Sequence, residues 1–203
     1  MRKYLFILLW FLLLGTSITS TPGTTVDGGG DDEFLNPNNA QTENGVSATA
    51  IGLGGGTSQY LNTTNYGFTV TAGSTINGIL VERKMSCLVD GDVETDHAKL
   101  IIDGSVSDIG ADAPNGGNLL TTTLTFYNDG GATDTWTSQL PTVTQINASN
   151  FGVQSRTVGN ESSTTSIDVV KMTIYFTEPA GAKKHIIGYG NGKTETFFDS
   201  KGE

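Results

Sequence analysis

From Val46 onward the chain repeats one pattern, in which short runs rich in Thr, Val and Ile are separated by Gly, Asn and Asp. Apolar and polar residues alternate within these runs, which is typical of half-buried β-strands, and closely spaced turn residues are typical of sandwiches and barrels. We find no stretch with the sustained apolar spacing of an amphipathic helix. The sequence therefore predicts an all-β fold, a single antiparallel β-sandwich that is jelly-roll-like and covers residues 46–179.

The last long run predicts an irregular strand. Ile167 and Val169 share one parity, whereas the apolar residues that follow share the opposite one: Val170, Met172, Ile174 and Phe176. Side chains alternate between the two faces of a strand, so a change of phase requires one extra residue. We therefore predict a β-bulge near Val169 and Val170.

The first twenty residues have the pattern of a secretory signal peptide. Arg2 and Lys3 precede an unbroken apolar run of eleven residues, Tyr4–Leu14, and small and hydroxyl residues follow up to Ser20. A transmembrane helix needs about 20 apolar residues. We therefore expect residues 1–20 to direct export, with a retained membrane anchor as the alternative. The predicted location is secreted, extracellular or at the cell surface, with no stable membrane anchor.

The two segments that flank the predicted sandwich differ from it in composition. Residues 21–45 are rich in Gly, Asp and Asn, and such a stretch predicts a flexible arm. Residues 180–203 form a C-terminal tail in which Ile186–Tyr189 and Thr194–Phe198 flank Asn191-Gly192. Asn-Gly between two β-prone runs is a strong hairpin signal. We therefore predict one hairpin in the tail.

Charge and cysteine content exclude several classes of function. The chain has 11 Lys and Arg against 21 Asp and Glu, and without Arg2 and Lys3 the net charge is about −12. Phosphate binding needs clustered basic residues, so nucleic acid is excluded as a partner. Cys87 is the one cysteine. It therefore predicts a small buried side chain, with an intermolecular disulfide as the alternative.

The densest acidic cluster is a candidate calcium site. Asp90, Asp92, Glu94 and Asp96 alternate along a turn-rich segment, and carboxylate oxygens are the ligands that calcium prefers. The spacing is not that of an EF-hand, because glycine stands at the second position and Ile101 at the twelfth. The alternatives are a solvated loop and acid–base chemistry. Calcium is the one cofactor that the sequence suggests.

Aromatic residues in polar surroundings are candidates for sugar stacking. Trp136 lies among Thr, Asp and Ser residues, and Tyr127 is a second candidate ligand-binding residue. The alternative is that Trp136 is a core anchor, as a lone Trp in a sandwich often is. No G-x-S-x-G motif accompanies His97, and nothing selects a pair of carboxylates for glycoside hydrolysis. We assign no catalytic residue.

The segment Val46–Ile51 is a candidate assembly strand. It is β-prone and follows the predicted arm, and its candidate pairing residues are Val46, Ala48, Ala50 and Ile51. Strands next to a free terminus can complete the sheet of a neighbouring subunit. The segment is therefore expected to pair with its own sandwich or with the next subunit.

Several blocks together resemble a β-sandwich module that recurs in bacteriophage virion and fibre proteins and in secreted bacterial surface proteins. These blocks are Tyr66–Val70, Ile76–Lys84, Thr135–Thr137, Asn147–Val153 and Ile167–Phe176. The resemblance covers about residues 47–178. It implies a jelly-roll-like fold and a structural or adhesive role, and it carries over no catalytic residue.

These observations favour a non-enzymatic extracellular structural protein, a surface-assembly subunit of a filament, appendage or virion-like particle. Its expected partners are further copies of itself or other surface and virion proteins. The alternative is a secreted carbohydrate-binding or adhesive module with glycan partners. A secreted glycoside hydrolase comes third.

Overall fold

The structure, a computed structural model, describes residues 15–29, 33–51, 60–106, 117–136, 140–159, 163–179, 184–188 and 194–198. Two short helices lie within these ranges, a 3-10 helix (Pro37–Ala40) and α1 (Val143–Ile146). The described strands are β1 (Thr16–Ser20), β2 (Thr24–Asp27), β3 (Phe34–Leu35), β4 (Ala48–Ile51), β5 (Leu61–Thr64), β6 (Thr75–Cys87), β7 (Val93–Ile102), β8 (Ser105–Val106), β9 (Thr125–Gly130), β10 (Gly152–Gly159), β11 (Thr164–Thr177), β12 (Lys184–Gly188) and β13 (Thr194–Phe198).

Two antiparallel sheets pack against each other, so the predicted all-β sandwich is confirmed. Sheet A has the order β3-β4-β11-β6-β9, and β1 pairs with β11 beside that path. Sheet B has the order β2-β5-β10-β7-β8. Alternate side chains of the central strands form the core, among them Ile79, Val81, Met85, Leu100, Val153, Met172 and Ile174. This alternation is the pattern from which the strands were predicted.

The predicted irregularity of the last long strand is present. The pairing of β11 with β6 shifts between Ile167 and Val169, which makes Asp168 the extra residue. Asp168 lies one residue before the predicted position, and it is fully buried. Because of the bulge, the side chains of Ile167 and Val170 both face the core.

One flank of β11 is built from three separate pieces of the N-terminal segment. β4 pairs with residues 164–167, Gln41 forms a bridge to Val169, and β1 pairs with residues 172–176. The other flank belongs to β6 along nearly its whole length. The longest strand of the sandwich therefore depends on residues 16–51 for half of its backbone pairing.

Residues 21–45, expected to be a flexible arm, contribute strands and core residues to the sandwich in the part of the segment that the structure describes. β2 pairs with β5, and both Phe34 and Ala40 are buried in the core. Of the predicted signal peptide, Thr16–Ser20 forms β1, while residues 1–14 lie outside the described residues, as do residues 30–32. The composition misleads because an edge strand can be held by its backbone pairing and needs few apolar side chains.

The C-terminal tail contains two paired strands. β12 and β13 form an antiparallel two-stranded sheet with Lys184 opposite Phe198 and Gly188 opposite Thr194. Asn191-Gly192, the predicted turn, lies outside the described residues. No helix among the described residues is long and apolar enough to cross a membrane.

Candidate functional site

The four acidic residues proposed for calcium do not converge. Asp90 lies in the turn before β7 and accepts a hydrogen bond from the Thr122 backbone N–H (2.8 Å), while Asp96 on β7 pairs with Arg156. Within the described ranges no three His, Cys, Asp or Glu side chains are grouped so that they could hold a metal ion. The predicted site therefore lacks the convergence that calcium needs. The reason is geometric: Glu94 and Asp96 are on an extended strand, where residues two apart are separated by about 6–7 Å.

Trp136 is a core residue, so it offers no ring face for a sugar. It is 5% exposed, and its indole Nε1 donates to the Ile79 carbonyl oxygen at 2.7 Å. It lies in a turn, and its φ of 48° is in the left-handed region. This backbone conformation turns the side chain inward from a polar segment, which sequence alternation cannot reveal.

Tyr127 also has a structural role. Its ring is partly buried against the core, and its hydroxyl accepts from the Thr121 N–H (3.0 Å) and donates to the Leu119 carbonyl oxygen (3.3 Å). These bonds fasten the segment before β9 to β9 itself. Trp136 and Tyr127 therefore do not form the predicted stacking platform.

The predicted assembly strand pairs within its own chain. In β4 the side chains of Ala48 and Ala50 are fully buried, whereas Val46 and Ile51 are 53% and 58% exposed. β4 lies between β3 and β11, so neither of its edges is open over the paired residues. The own-sandwich alternative therefore holds for this segment in the single chain.

β1, which lies within the predicted signal peptide, is at an edge of sheet A. We define the β1 flank as β1 together with residues 172–176 of β11, against which it pairs. Ile18 is opposite Ile174 and packs on the core, while Thr19 Oγ1 and Thr173 Oγ1 are hydrogen-bonded at 2.8 Å. Ser20 Oγ donates to the Tyr66 carbonyl oxygen at 2.5 Å. Ile18 is the one apolar residue of β1; the others are hydroxyl residues.

A short connection joins the β1 flank to the opposite sheet. Residues 21–23 lead from β1 in sheet A to β2 in sheet B. The Gly23 N–H donates to the Asn65 carbonyl oxygen at 2.9 Å, and Pro22 is buried. The connection is therefore anchored at the end that leads into β2, and β1 lies at its other end.

A hollow of about 760 Å³ lies beside the start of β1. Its lining includes Thr16, Ser17, Asn77, Tyr175 and Thr177, and Asn77 Nδ2 donates to Thr177 Oγ1 at 3.0 Å. Hydroxyl and amide groups of this kind can hydrogen-bond a polar ligand or a peptide backbone. The hollow thus places polar groups directly next to the β1 flank.

A charge network fastens the segment between the 3-10 helix and β4 to the outer face of sheet A. Glu43 pairs with Lys171 and with Lys84, and Asp168 Oδ1 accepts from the Asn44 and Gly45 N–H groups at 3.1 and 2.8 Å. Lys84 Nζ also lies 3.3 Å from Asp168 Oδ2. Hydrogen bonds from Lys171 and then Lys84 lower the pKa of Glu43, and the bond to Glu43 raises the pKa of Lys84. We call this the Glu43 network.

The outer face of sheet B carries a row of polar and aromatic side chains, which we call the Tyr60 row. Arg156 Nη1 donates to the Tyr60 hydroxyl at 2.9 Å, and its guanidinium carbon lies 5.1 Å from the centre of the Tyr60 ring. Asp96 accepts from Arg156 on the same face. Gln154 Nε2 donates to Asn62 Oδ1 at 2.9 Å on the neighbouring strand. The row therefore combines an aromatic ring with amide and charged groups.

Comparisons of the chain with known protein families, with curated proteins and with solved structures find no match. The resemblance to virion and surface-protein modules therefore stays a prediction.

Proposed function

We propose that the protein is a non-enzymatic extracellular structural subunit that assembles with further copies of itself through strand edges. The observation that carries this proposal is the composite flank of β11, which three pieces of the N-terminal segment complete. Strand addition between chains uses such a flank, because a strand from a second chain can pair with it in place of the first.

Edge strands supply the second argument. β1, β3 and β9 lie at edges of sheet A, each paired on one side among the described strands. Such strands offer rows of backbone N–H and C=O groups to another chain. Extended association therefore requires no pocket and no cofactor.

Cys87 favours non-covalent assembly. Its side chain is buried, with 5% of the residue exposed, and its thiol donates to the Val89 carbonyl oxygen at 2.9 Å. Burial raises the pKa of this thiol, which reduces its reactivity. The copies would therefore be held by strand pairing and packing rather than by a disulfide.

Negative-stain electron microscopy of the purified full chain tests the proposal. We expect filaments, rings or sheets whose abundance increases with protein concentration. Isolated particles of the size of one 21.3 kDa chain at every concentration would contradict it.

The second candidate function is glycan binding at the Tyr60 row. The supporting observation is that an aromatic ring and several hydrogen-bonding side chains share one face of sheet B. A glycan array compares the unaltered chain with Tyr60→Ala and Tyr127→Phe variants. Binding that is lost in Tyr60→Ala and kept in Tyr127→Phe would support this candidate, and no binding by the unaltered chain would reject it.

A further inference from the structure

We infer that β1 is exchanged between copies of the chain: Thr16–Ser20 of one copy occupies the flank of β11, residues 172–176, in another copy. This inference rests on the proposed assembly function and names the segment and the acceptor that the assembly uses. The occupant is a second copy of this chain.

Residues 172–176 of β11, which would accept the exchanged strand, need a strand paired beside them. Met172, Ile174 and Phe176 of this flank belong to the core, and Ile18 of β1 packs against the same core. The backbone groups of the same residues are paired by β1 on this side. Removing β1 would leave a row of β11 backbone groups without strand partners on this side and would remove the contact of Ile18 with the core, which is costly.

The donor strand is held by few contacts of its own. Among the described strands it pairs with β11 alone, and Ile18 is its single inward apolar residue. Thr16, Ser17 and Thr19 are exposed. An outermost strand with these contacts is paired on one side among the described strands, so it can leave its flank while β11 stays paired with β6.

The connection to β2 makes the exchange geometrically simple. Residues 21–23 separate β1 from an anchored β2, so a change of backbone direction there redirects the whole strand. Fully extended, residues 16–23 reach about 26 Å, which is enough to bring β1 outside its own sandwich. The same contacts form within one chain and between two chains, so protein concentration decides between them.

Two side chains of β1 make specific contacts with residues 172–176 of β11. Ile18 lies against Ile174, and the Thr19 hydroxyl bonds that of Thr173. An identical strand from a second copy reproduces both contacts. An unrelated extended peptide would supply the backbone pairing without this side-chain match.

Disulfide trapping tests the exchange directly. In a Cys87→Ala background of the full chain, Thr19→Cys and Thr173→Cys place two thiols opposite each other on β1 and β11. We expect mild oxidation to shift the band on a non-reducing gel from 21.3 kDa to a ladder of multiples. A band that stays at the mass of one chain while the sample contains larger particles would overturn the exchange and leave the proposed assembly intact.

The control pair is Asn62→Cys with Gln154→Cys, which are opposite each other on β5 and β10, away from any exchanging strand. It should stay at the mass of one chain after oxidation. If the double variant fails to fold, chains with Thr19→Cys alone and Thr173→Cys alone are refolded together, and a disulfide dimer of the two supports exchange. The exchange would be overturned if that dimer did not form. It would also be overturned if mass spectrometry showed that the purified chain begins after Ser20. A sample without any particles larger than one chain would overturn both the exchange and the assembly.

Discussion

At the residue scale, Gly130 shows how tightly the turn around Trp136 is built. Its φ of 79° is in the left-handed region, and a Cβ there would collide with the Ile79 carbonyl oxygen and with Trp136 Nε1. Gly130→Ala should therefore lower the free energy of unfolding by at least about 1–2 kcal/mol, as measured by urea denaturation. Gly131→Ala is the matched control, because a Cβ at Gly131 meets no atom within 4 Å. Equal losses in the two variants would contradict this account of the turn.

A buried ion pair supplies a second prediction at this scale. Arg83 and Asp129 are both 1% exposed, and Arg83 Nη2 lies 2.5 Å from Asp129 Oδ2. Removing one partner leaves a buried charge, so Arg83→Met should cost about 3–5 kcal/mol in urea denaturation. Arg156→Met, which breaks a half-exposed pair, should cost about 1 kcal/mol or less. Adding Asp129→Leu to Arg83→Met should recover part of the loss, and a further loss would count against the pair.

The Glu43 network predicts a pH dependence. Its lysine partners lower the Glu43 pKa below the ordinary value of 4.5 in the folded chain. The stabilisation is therefore present above the unfolded pKa and is lost as the pH falls through the lowered folded pKa. Glu43→Gln should reduce stability at neutral pH and make less difference in acid, where urea midpoints of variant and unaltered chain converge. The control is Glu33→Gln, which removes an exposed carboxylate outside the network. If the difference in urea midpoint between Glu43→Gln and the unaltered chain became larger in acid, the pH dependence assigned to the Glu43 network would be refuted.

The sequence could predict some of these residues and not others. The change of phase in the last strand predicts the bulge, because the apolar residues on either side of it have opposite parity. The burial of Arg83 is implied by its alternation with Ile79 and Val81. The inward turn of Trp136 could not be predicted, since a left-handed residue in a polar segment breaks the alternation. Nor could the Glu43 network, whose members lie up to 128 residues apart.

At the element scale, the contribution of β1 to the free energy of unfolding can be measured. Ile18 packs partly on the core, so Ile18→Ala should lower the free energy of unfolding by about 1 kcal/mol. Ser17→Ala is the control within the same strand, because Ser17 is exposed and lies on the outward parity. Denaturation curves of the two variants give the comparison. No difference between them would mean that β1 is absent from the folded protein.

The long strands could be predicted from sequence, whereas the N-terminal ones could not. β6, β7 and β11 alternate over ten or more residues and form the centre of the sandwich. β1, β2 and β3 have two to five residues each, mostly hydroxyl or acidic in β1 and β2, and gain their order from partners far along the chain. Such pairing is a tertiary effect that local composition does not encode. For the same reason the sequence directed the assembly hypothesis to β4 instead of β1.

At the scale of the whole molecule, the segment that is predicted to direct export overlaps with a strand of the sandwich. The last five residues of the predicted signal peptide, Thr16–Ser20, form the strand β1, which pairs with the longest strand of the sandwich. With a net charge of −10, separate copies repel one another, so the proposed association needs a specific contact. The proposed contact is the β1 flank, where the copies would exchange identical strands.

The measurement that tests this account most directly is the molar mass of the purified full chain by light scattering, taken over a range of protein concentrations. The account predicts multiples of 21.3 kDa that increase with concentration. Ile18→Asp should abolish them, because it places a carboxylate against Ile174, and Ser17→Asp should preserve them. A mass of one chain at all concentrations would contradict the assembly, and multiples that survive Ile18→Asp would contradict the role of β1.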